Sequence, residues 1–259
     1  MQVFLSHREN EEGKKYALAL REELAILGVD TIIASHLIHP GADWAQELLK
    51  HLEVSSALLC IASRGYTDSA WCQQEIGWAI GRNTPALWIR YDSAEHSTGF
   101  LKSKQDFIPS EPLDEAEIAR GVGTWLAMEP RTREETRATL LRALTFSSTY
   151  QQTRDIADVL ATLDSLTDDE LKQIDDAAVS NRQVREAFFY SGRNKSASGI
   201  TVTEWLHRKL NKSAKRDWTW NLPVAVLQRR RGGRASRRGP HVPQSEEETT
   251  SSDSRGSTR

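Results

Sequence analysis

Glu75 is the residue of this 259-residue chain whose sequence neighbours most favour chemistry. On a helix predicted over residues 71–82, Glu75 lies one turn from Trp71 and one turn from Trp78, at the border of an apolar stripe. No Lys or Arg stands three or four positions away to pair with it. A carboxylate beside indole rings is partly desolvated, which raises its pKa and marks it as a site candidate. The alternative is an ordinary surface glutamate with the indoles packed beneath it.

Other polar residues that could take part in chemistry follow the predicted strands. Ser6, His7 and Arg8 come directly after the first strand, and the loop after the second carries His36, His39, Pro40 and Gly41. The loop after the third strand runs over residues 63–70 into the helix of Glu75. Polar loops are common in any fold, so this grouping on its own leaves the functional and the ordinary interpretation equally open.

The elements that position these residues alternate between strand and helix. Strands are predicted at residues 3–5, 29–34, 57–61 and 86–91, with a weaker fifth near Phe107 and Ile108; helices are predicted at residues 12–27, 43–53 and 71–82. Such alternation predicts an α/β fold with a flavodoxin-like open parallel sheet of strand order 2-1-3-4-5. Ligands of such sheets bind outside the strand carboxyl ends, here between the loops after strands one and three.

Composition narrows the class of protein. The formal charge of −2 does not favour nucleic-acid binding by the fold as a whole. The two cysteines, Cys60 and Cys72, fit no metal spacing and no CxxC pair, so no metal is expected. The charged N-terminus is unlike a signal peptide, and no apolar run reaches the roughly 20 residues of a membrane helix. These features predict a cytoplasmic protein of a reducing compartment that does not bind membranes.

Several familiar nucleotide-binding and hydrolase sites are excluded because their sequence motifs are missing. The turn after the first strand, SHRENEEG, has no dinucleotide-binding glycine fingerprint. The paired acids of a phospho-receiver domain are missing, and neither a Walker A sequence nor GxSxG occurs.

Beyond the sheet region the pattern changes twice, which predicts three parts: an α/β domain over residues 1–112, a helical module over 113–212, and a linker with a disordered tail over 213–259. Helices are predicted at 114–128, 132–146 and 153–164, and capping boxes begin at Thr167 and Thr201. The module is either a sensing or oligomerising part that binds a partner protein or a structural extension. The arginine-rich run 229–238 is interpreted as solvated tail, although it could touch an anionic polymer or surface.

Four segments resemble the TIR (Toll/interleukin-1 receptor) domain over residues 2 to about 110. They are the strand 3–5 running into Ser6 and His7, the Pro-Gly of the segment 38–41, the segment 69–75 that opens the third helix, and Pro85 before an apolar strand. Their order and spacing are more specific than any one of them. The form EIGWAIGR at 75–82 is most similar to prokaryotic members.

The resemblance implies one of two functions. Some TIR proteins cleave NAD at the nicotinamide-ribose bond, and their catalytic glutamate corresponds to Glu75, with an aromatic four residues earlier, here Trp71, lining the nicotinamide pocket. Ser6, His7 and Arg8 would then contact phosphates or ribose, and Trp44 or His36 would close the other side. NAD is a substrate here, so no cofactor is expected. The alternative is a non-enzymatic adaptor. Adaptor members generally lack this glutamate, so the presence of Glu75 favours NAD cleavage, by analogy with the family.

The resemblance also implies self-association through TIR surfaces and activity triggered by assembly, in signalling or antiphage defence. Hydrolysis and cyclisation of the ADP-ribose product both remain open. A toxin-like role in host cells ranks last. The segment 34–37 departs from the acidic or aromatic residues usual in the family, which leaves the lining of that side of the pocket open.

Overall fold

The fold is taken from a computed structural model that describes residues 1–33, 44–189 and 199–210. The predicted tail, the arginine-rich run and the loop with His36 lie outside these described residues. All described residues belong to one compact unit.

A parallel sheet of four strands forms the centre of the fold, in the order β2-β1-β3-β4. The strands are β1 (Gln2–His7), β2 (Asp30–Ile33), β3 (Ala57–Ala62) and β4 (Ala86–Arg90). The register pairs Ser6 of β1 with Cys60 of β3, and Cys60 with Trp88 of β4. The predicted α/β class, the parallel pairing and the order of these four strands are confirmed.

The predicted fifth strand is reduced to a single parallel bridge between Ile89 and Phe107. The amide of Arg90 donates to the carbonyl of Phe107, whose own amide donates to Trp88. The ladder stops there because Pro109 lacks an amide proton and cannot extend it. Within the described residues, the sheet therefore has four full strands and a one-residue contact in the fifth position.

Two layers of helices cover the sheet. The helix α1 (Glu11–Ile26) and the helix α4 (Glu115–Met128) pack on one face, and α2 (Trp44–Val54) and α3 (Ala70–Gly81) pack on the other. Successive strand residues point to opposite faces, so Val3 and Leu5 lie in the first core and Phe4 in the second. The same alternation places Ser6 on the α3 face.

The remaining described chain is mostly helical, as predicted. It contains α5 (Arg133–Thr145), α6 (Tyr150–Leu160), α7 (Asp168–Ser180), α8 (Arg182–Glu186) and α9 (Val202–Leu210). The capping box at Thr167 is present, with both reciprocal hydrogen bonds to Glu170. At Thr201 the side chain accepts from the Glu204 amide, at the start of α9.

Two details of this part differ from the sequence prediction. The helix expected at 153–164 begins at Tyr150, because the Thr149 side chain caps it by accepting from the Gln152 amide, and it ends at Leu160. A short antiparallel pair, β5 (Phe188–Phe189) and β6 (Ile200–Thr201), was not expected at all. Each strand has only two residues, too few for a period-2 pattern to show.

Helices α4 to α9 share one apolar core with α1 and one face of the sheet. Gly123 of α4 illustrates the closeness of this packing, since a Cβ there would lie 3.0 Å from Leu27 and 3.3 Å from Val159. The division at residue 112 stays a prediction. Among the described helices, none is both long and apolar enough to span a lipid bilayer.

Candidate functional site

Glu75 lies inside the buried stripe of α3, deeper than the sequence suggested. Cys72, Glu75, Ile76 and Ala79 are the buried residues of this helix, and Glu75 is 6% exposed. The spacing of one and two turns puts all four on the face toward the sheet. Trp71 instead lies on the outer side, 48% exposed. Glu75 is therefore a core carboxylate rather than a border residue held between two indoles.

Ser6 is the hydrogen-bond partner of Glu75. The hydroxyl of Ser6, itself 1% exposed, donates to Oε2 of Glu75, and its oxygen lies 2.6 Å from the Tyr66 hydroxyl oxygen. Among the described residues no cation forms an ion pair with Glu75. Burial raises the pKa of Glu75 to about 7, and the hydrogen bond from Ser6 opposes that shift. Near neutral pH this carboxyl group thus exists in both charge states.

Three other titratable groups surround this carboxyl group, and all remain neutral. Burial raises the pKa of Cys60 to about 12 and that of Cys72 to about 11. Burial also raises the pKa of Tyr66 well above its ordinary value. Both cysteines are free thiols. Glu75 is consequently the member of this buried cluster that changes charge near neutrality.

The loop that carries Tyr66 is clamped by a second buried carboxylate, Glu95. Its Oε1 accepts from the Gly65 amide at 2.5 Å, and its Oε2 accepts from the amide and the hydroxyl of Thr67 at 3.2 and 3.0 Å. The backbone oxygen of Glu95 accepts from the indole of Trp88 at 3.2 Å. The clamp thus grips the residues on either side of Tyr66, whose ring meets Trp88 edge to face with centroids 5.1 Å apart.

Arg8 crosses the same loop. Its Nη1 donates to the carbonyl of Arg64 at 3.3 Å, and a Cβ on Gly65 would lie 1.5 Å from that nitrogen. Gly65 also has a φ of 76°, a conformation that favours glycine. The end of β1, through Ser6, and the loop after β1, through Arg8, therefore contact the loop after β3, where the sequence predicted a crevice.

The other predicted site residues are placed as follows. The ring of His7 is half-buried, and its Nδ1 lies 2.8 Å from the carbonyl of Arg8. The backbone of Trp44 opens α2, but its side chain, like all of His36, lies outside the described part of the chain. The structure thus brings Ser6 to Glu75 directly and sets Arg8 against the adjacent loop.

A groove of about 540 Å³ runs between α2 and α3, with Glu75 on its wall. Its lining is mainly apolar and comprises Ala45, Leu48, Leu49, Leu52, Trp71, Gln74, Glu75, Gly77, Trp78, Gly81 and Arg82. The volume lies in the range of small-molecule sites, which are concave and mostly apolar with few polar groups. Trp71 marks the end of the groove at the carboxyl edge of the sheet, because α3 begins there.

A comparison with protein families identifies the family of the α/β domain. Residues 3–122 match the family model of the TIR domain. The chain carries a TIR domain. The match covers the four-strand sheet and its flanking helices and ends within α4. No curated protein and no solved structure gave a significant match.

The neighbourhood of Glu75 in this TIR domain includes two residues that sequence reasoning passed over, Tyr66 and Glu95. Tyr66 had a signal, since an aromatic side chain in a short polar loop indicates burial. Glu95 had none, because it lies twenty positions beyond Glu75 in an unpatterned segment. The described residues contain no cluster of His, Cys, Asp and Glu suited to a metal ion.

Proposed function

We propose that this TIR-domain protein cleaves NAD at the bond between nicotinamide and ribose, with Glu75 as the catalytic residue. The observation that carries the proposal is the buried carboxyl group of Glu75, a residue on the wall of a concave groove. This group has no ion-pair partner among the described residues, and its pKa is raised to about 7. Perturbed carboxylates in clefts are typical of functional sites. The TIR family includes members that cleave NAD and members that act as adaptors, so the site and not the fold supports the enzyme.

A single carboxylate suffices for this reaction because of its leaving group. Glycosidases use one carboxyl group to protonate the departing oxygen, but nicotinamide leaves NAD as an already cationic pyridinium. The bond between C1′ and the ring nitrogen breaks, and its electron pair neutralises the pyridinium. The ionised Glu75 stabilises the oxocarbenium-like ribose electrostatically, holds a ribose hydroxyl, or captures C1′ transiently. Water then adds to C1′ and releases a proton, which yields ADP-ribose.

The groove and the loops at the adjacent edge of the sheet offer partners for the two ends of the substrate. The exposed indole of Trp71, one turn before Glu75, provides a flat surface on which nicotinamide can stack. Arg8 and the exposed Arg64 stand at the adjacent edge of the sheet and supply positive charge for the pyrophosphate. If a hydroxyl or ring nitrogen of ADP-ribose replaces water as nucleophile, the product is cyclic.

The alternative is an adaptor that works by association alone. Leu49 and Trp71 are exposed apolar side chains on the groove and favour a protein contact there. TIR domains commonly self-associate, and we propose that assembly triggers this enzyme in signalling or antiphage defence. Residues 113–212 are proposed to sense the trigger or to bind the partner.

The deciding experiment measures nicotinamide release from NAD by the purified full-length chain at high protein concentration and with a crowding agent. We expect Glu75→Gln to reduce the rate by at least ~100-fold, since it removes the charge that stabilises the transition state. The matched control is Glu22→Gln, which neutralises an exposed carboxylate on α1 and leaves the rate unchanged. Chromatography separates ADP-ribose from cyclic products. An assembled wild type that releases no nicotinamide excludes the enzyme, and equal rates for wild type and Glu75→Gln exclude Glu75.

A further inference from the structure

The buried polar chain beside Glu75 has a defined direction. A serine hydroxyl has one proton, and Ser6 gives that proton to Oε2 of Glu75. When Glu75 is ionised, the donor in the contact of 2.6 Å between Ser6 and Tyr66 must therefore be the phenol. The Tyr66 hydroxyl also interacts with the thiol of Cys60. The chain of hydrogen bonds runs from Tyr66 through Ser6 and ends at the carboxylate.

This direction suits one charge state of Glu75 better than the other. Ionised Glu75 accepts from Ser6, and each hydroxyl in the chain polarises the next. A protonated Glu75 would donate to the second lone pair of the Ser6 oxygen, and the serine proton would then lose the carboxylate as its acceptor. The Cys72 sulfur also lies within reach of Ser6, but a neutral thiol accepts weakly, so the carboxylate takes the serine proton.

We propose that Tyr66 is a positioning residue which, by donating to Ser6, polarises the Ser6 hydroxyl toward Glu75 and so favours the ionised, reactive form of that carboxylate at the wall of the groove. That the ionised form is the reactive one rests on the proposed function. The effect on ionisation is independent of any reaction.

Several contacts fix the position of the Tyr66 phenol. Tyr66 is fully buried, its ring packs edge to face on Trp88, and Glu95 holds the amides of Gly65 and Thr67 on either side of it. Because these contacts do not involve the hydroxyl, Tyr66→Phe removes the donor and leaves the ring and the loop in place. The hydroxyl can thus be tested apart from the packing.

Within the part of the chain that the structure describes, few other charged groups could change the ionisation of Glu75. Facing it are Tyr66 from the loop, Cys60 from β3 and Cys72 from α3, all neutral at the pH values of interest. On the adjoining helix α2, two carboxylates already pair with cations: Glu47 with Lys50, and Glu53 with Arg82 of α3. A change in the titration of Glu75 therefore reports on Ser6 and Tyr66.

The first measurement is a pH titration of the Glu75 side-chain carboxyl by ¹³C NMR, assigned with Glu75→Gln. In the wild type we expect a midpoint near the pKa of about 7. In Tyr66→Phe the Ser6 hydroxyl loses the donor that polarises it and binds ionised Glu75 more weakly, so the midpoint moves upward, by ~0.5 pH unit or more. Ser6→Ala moves it further, and adding Tyr66→Phe to Ser6→Ala moves it no more, since Tyr66 acts only through Ser6.

The matched control is Tyr91→Phe. Tyr91 is also a buried tyrosine, and its hydroxyl donates to Glu115 at 2.7 Å, in the core on the opposite face of the sheet. It removes a buried phenol of the same kind without touching the chain to Glu75. We expect the titration of Glu75 and the rate of NAD cleavage to match the wild type in this variant.

The second measurement is nicotinamide release as a function of pH. In Tyr66→Phe the rising limb moves upward with the titration midpoint, while the plateau at high pH stays within about threefold of the wild type, because the carboxylate is ionised there in both proteins. A lower plateau with an unmoved midpoint would show a purely structural role and overturn the proposal, as would coincident NMR titrations. If the wild type releases no nicotinamide, the proposed function fails, while the NMR titration still decides whether Tyr66 governs the charge of Glu75.

Discussion

Replacement of Glu75 by glutamine should make the protein more stable at alkaline pH and leave its stability nearly unchanged at acidic pH. Burial raises the pKa of Glu75 from 4.5 to about 7. Between those values the folded protein keeps a proton that the unfolded chain has released, so the free energy of unfolding falls as pH rises through this window. Above pH 7 the folded protein carries a buried, ionised carboxylate that has no ion-pair partner among the described residues.

The size of the effect follows from the same shift. A pKa raised from 4.5 to about 7 corresponds to ~3 kcal/mol of stability lost between acidic and alkaline pH. The amide of Glu75→Gln has almost the same shape, and its oxygen still accepts from Ser6, so only the titration is removed. We therefore expect the variant to exceed the wild type by up to ~3 kcal/mol at pH 8 and by little at pH 4.

Urea unfolding at a series of pH values measures this difference. Other raised carboxyl groups, such as Glu115, titrate in both proteins and cancel when the two curves are subtracted. The control Glu22→Gln should give a difference that does not depend on pH. If the difference for Glu75→Gln were the same at pH 4 and pH 8, or larger at pH 4, burial of the charge would not be what governs this carboxyl group. The stabilised variant would also show that its loss of NAD cleavage is not a loss of fold.

Two further substitutions test what positions Tyr66. Glu95→Gln turns an amide NH₂ toward backbone donors, so we expect its free energy of unfolding in urea to be ~1–3 kcal/mol lower than that of the wild type. Thr67→Val removes only the hydroxyl contact, and we expect a smaller loss. Equal stability of Glu95→Gln and the wild type would contradict the clamp. Gly65→Ala places a Cβ at a φ of 76° and in the path of the Arg8 side chain. We expect the backbone conformation alone to lower the free energy of unfolding by ~1–2 kcal/mol or more. The steric clash lowers it further, and Arg8→Ala should relieve that second part in a double-mutant cycle. Additive effects of Gly65→Ala and Arg8→Ala would show that the guanidinium does not lie across the glycine.

Much of the TIR fold could be predicted from the periodicity of apolar residues in the sequence. The continuous apolar run at 57–61 predicted β3 because a central parallel strand is covered on both faces and needs no polar alternation. Gly28 after α1 and the capping box at Thr167 marked helix ends because both signals are local in sequence. Glycine readily adopts the φ of 77° that follows α1, and the Thr167 side chain accepts from an amide of the first turn of α7. The fifth strand and the hairpin β5–β6 were harder to predict, since each depends on one or two backbone pairs.

The depth of Glu75 shows where local patterns end. Helical spacing placed it near the apolar stripe of α3 and close to Trp71, because side chains one turn apart share a face. Whether a residue at that border is solvated or buried depends on what packs against it. Here β1 supplies Ser6 and the loop after β3 supplies Tyr66, from 69 and 9 positions away.

Local sequence patterns were enough to predict the class of fold, the order of its elements, the TIR resemblance and the carboxylate to be tested. The depth of that carboxylate, the hydrogen bond from Ser6, the contact of Tyr66 with Ser6 and the hold of Glu95 on the Tyr66 loop could be seen only in the packed protein. The two sets differ because the underlying interactions act over different ranges of sequence. Periodicity and capping act within a few residues of chain, whereas desolvation and buried hydrogen bonds depend on groups that meet only when β1, β3 and α3 pack together.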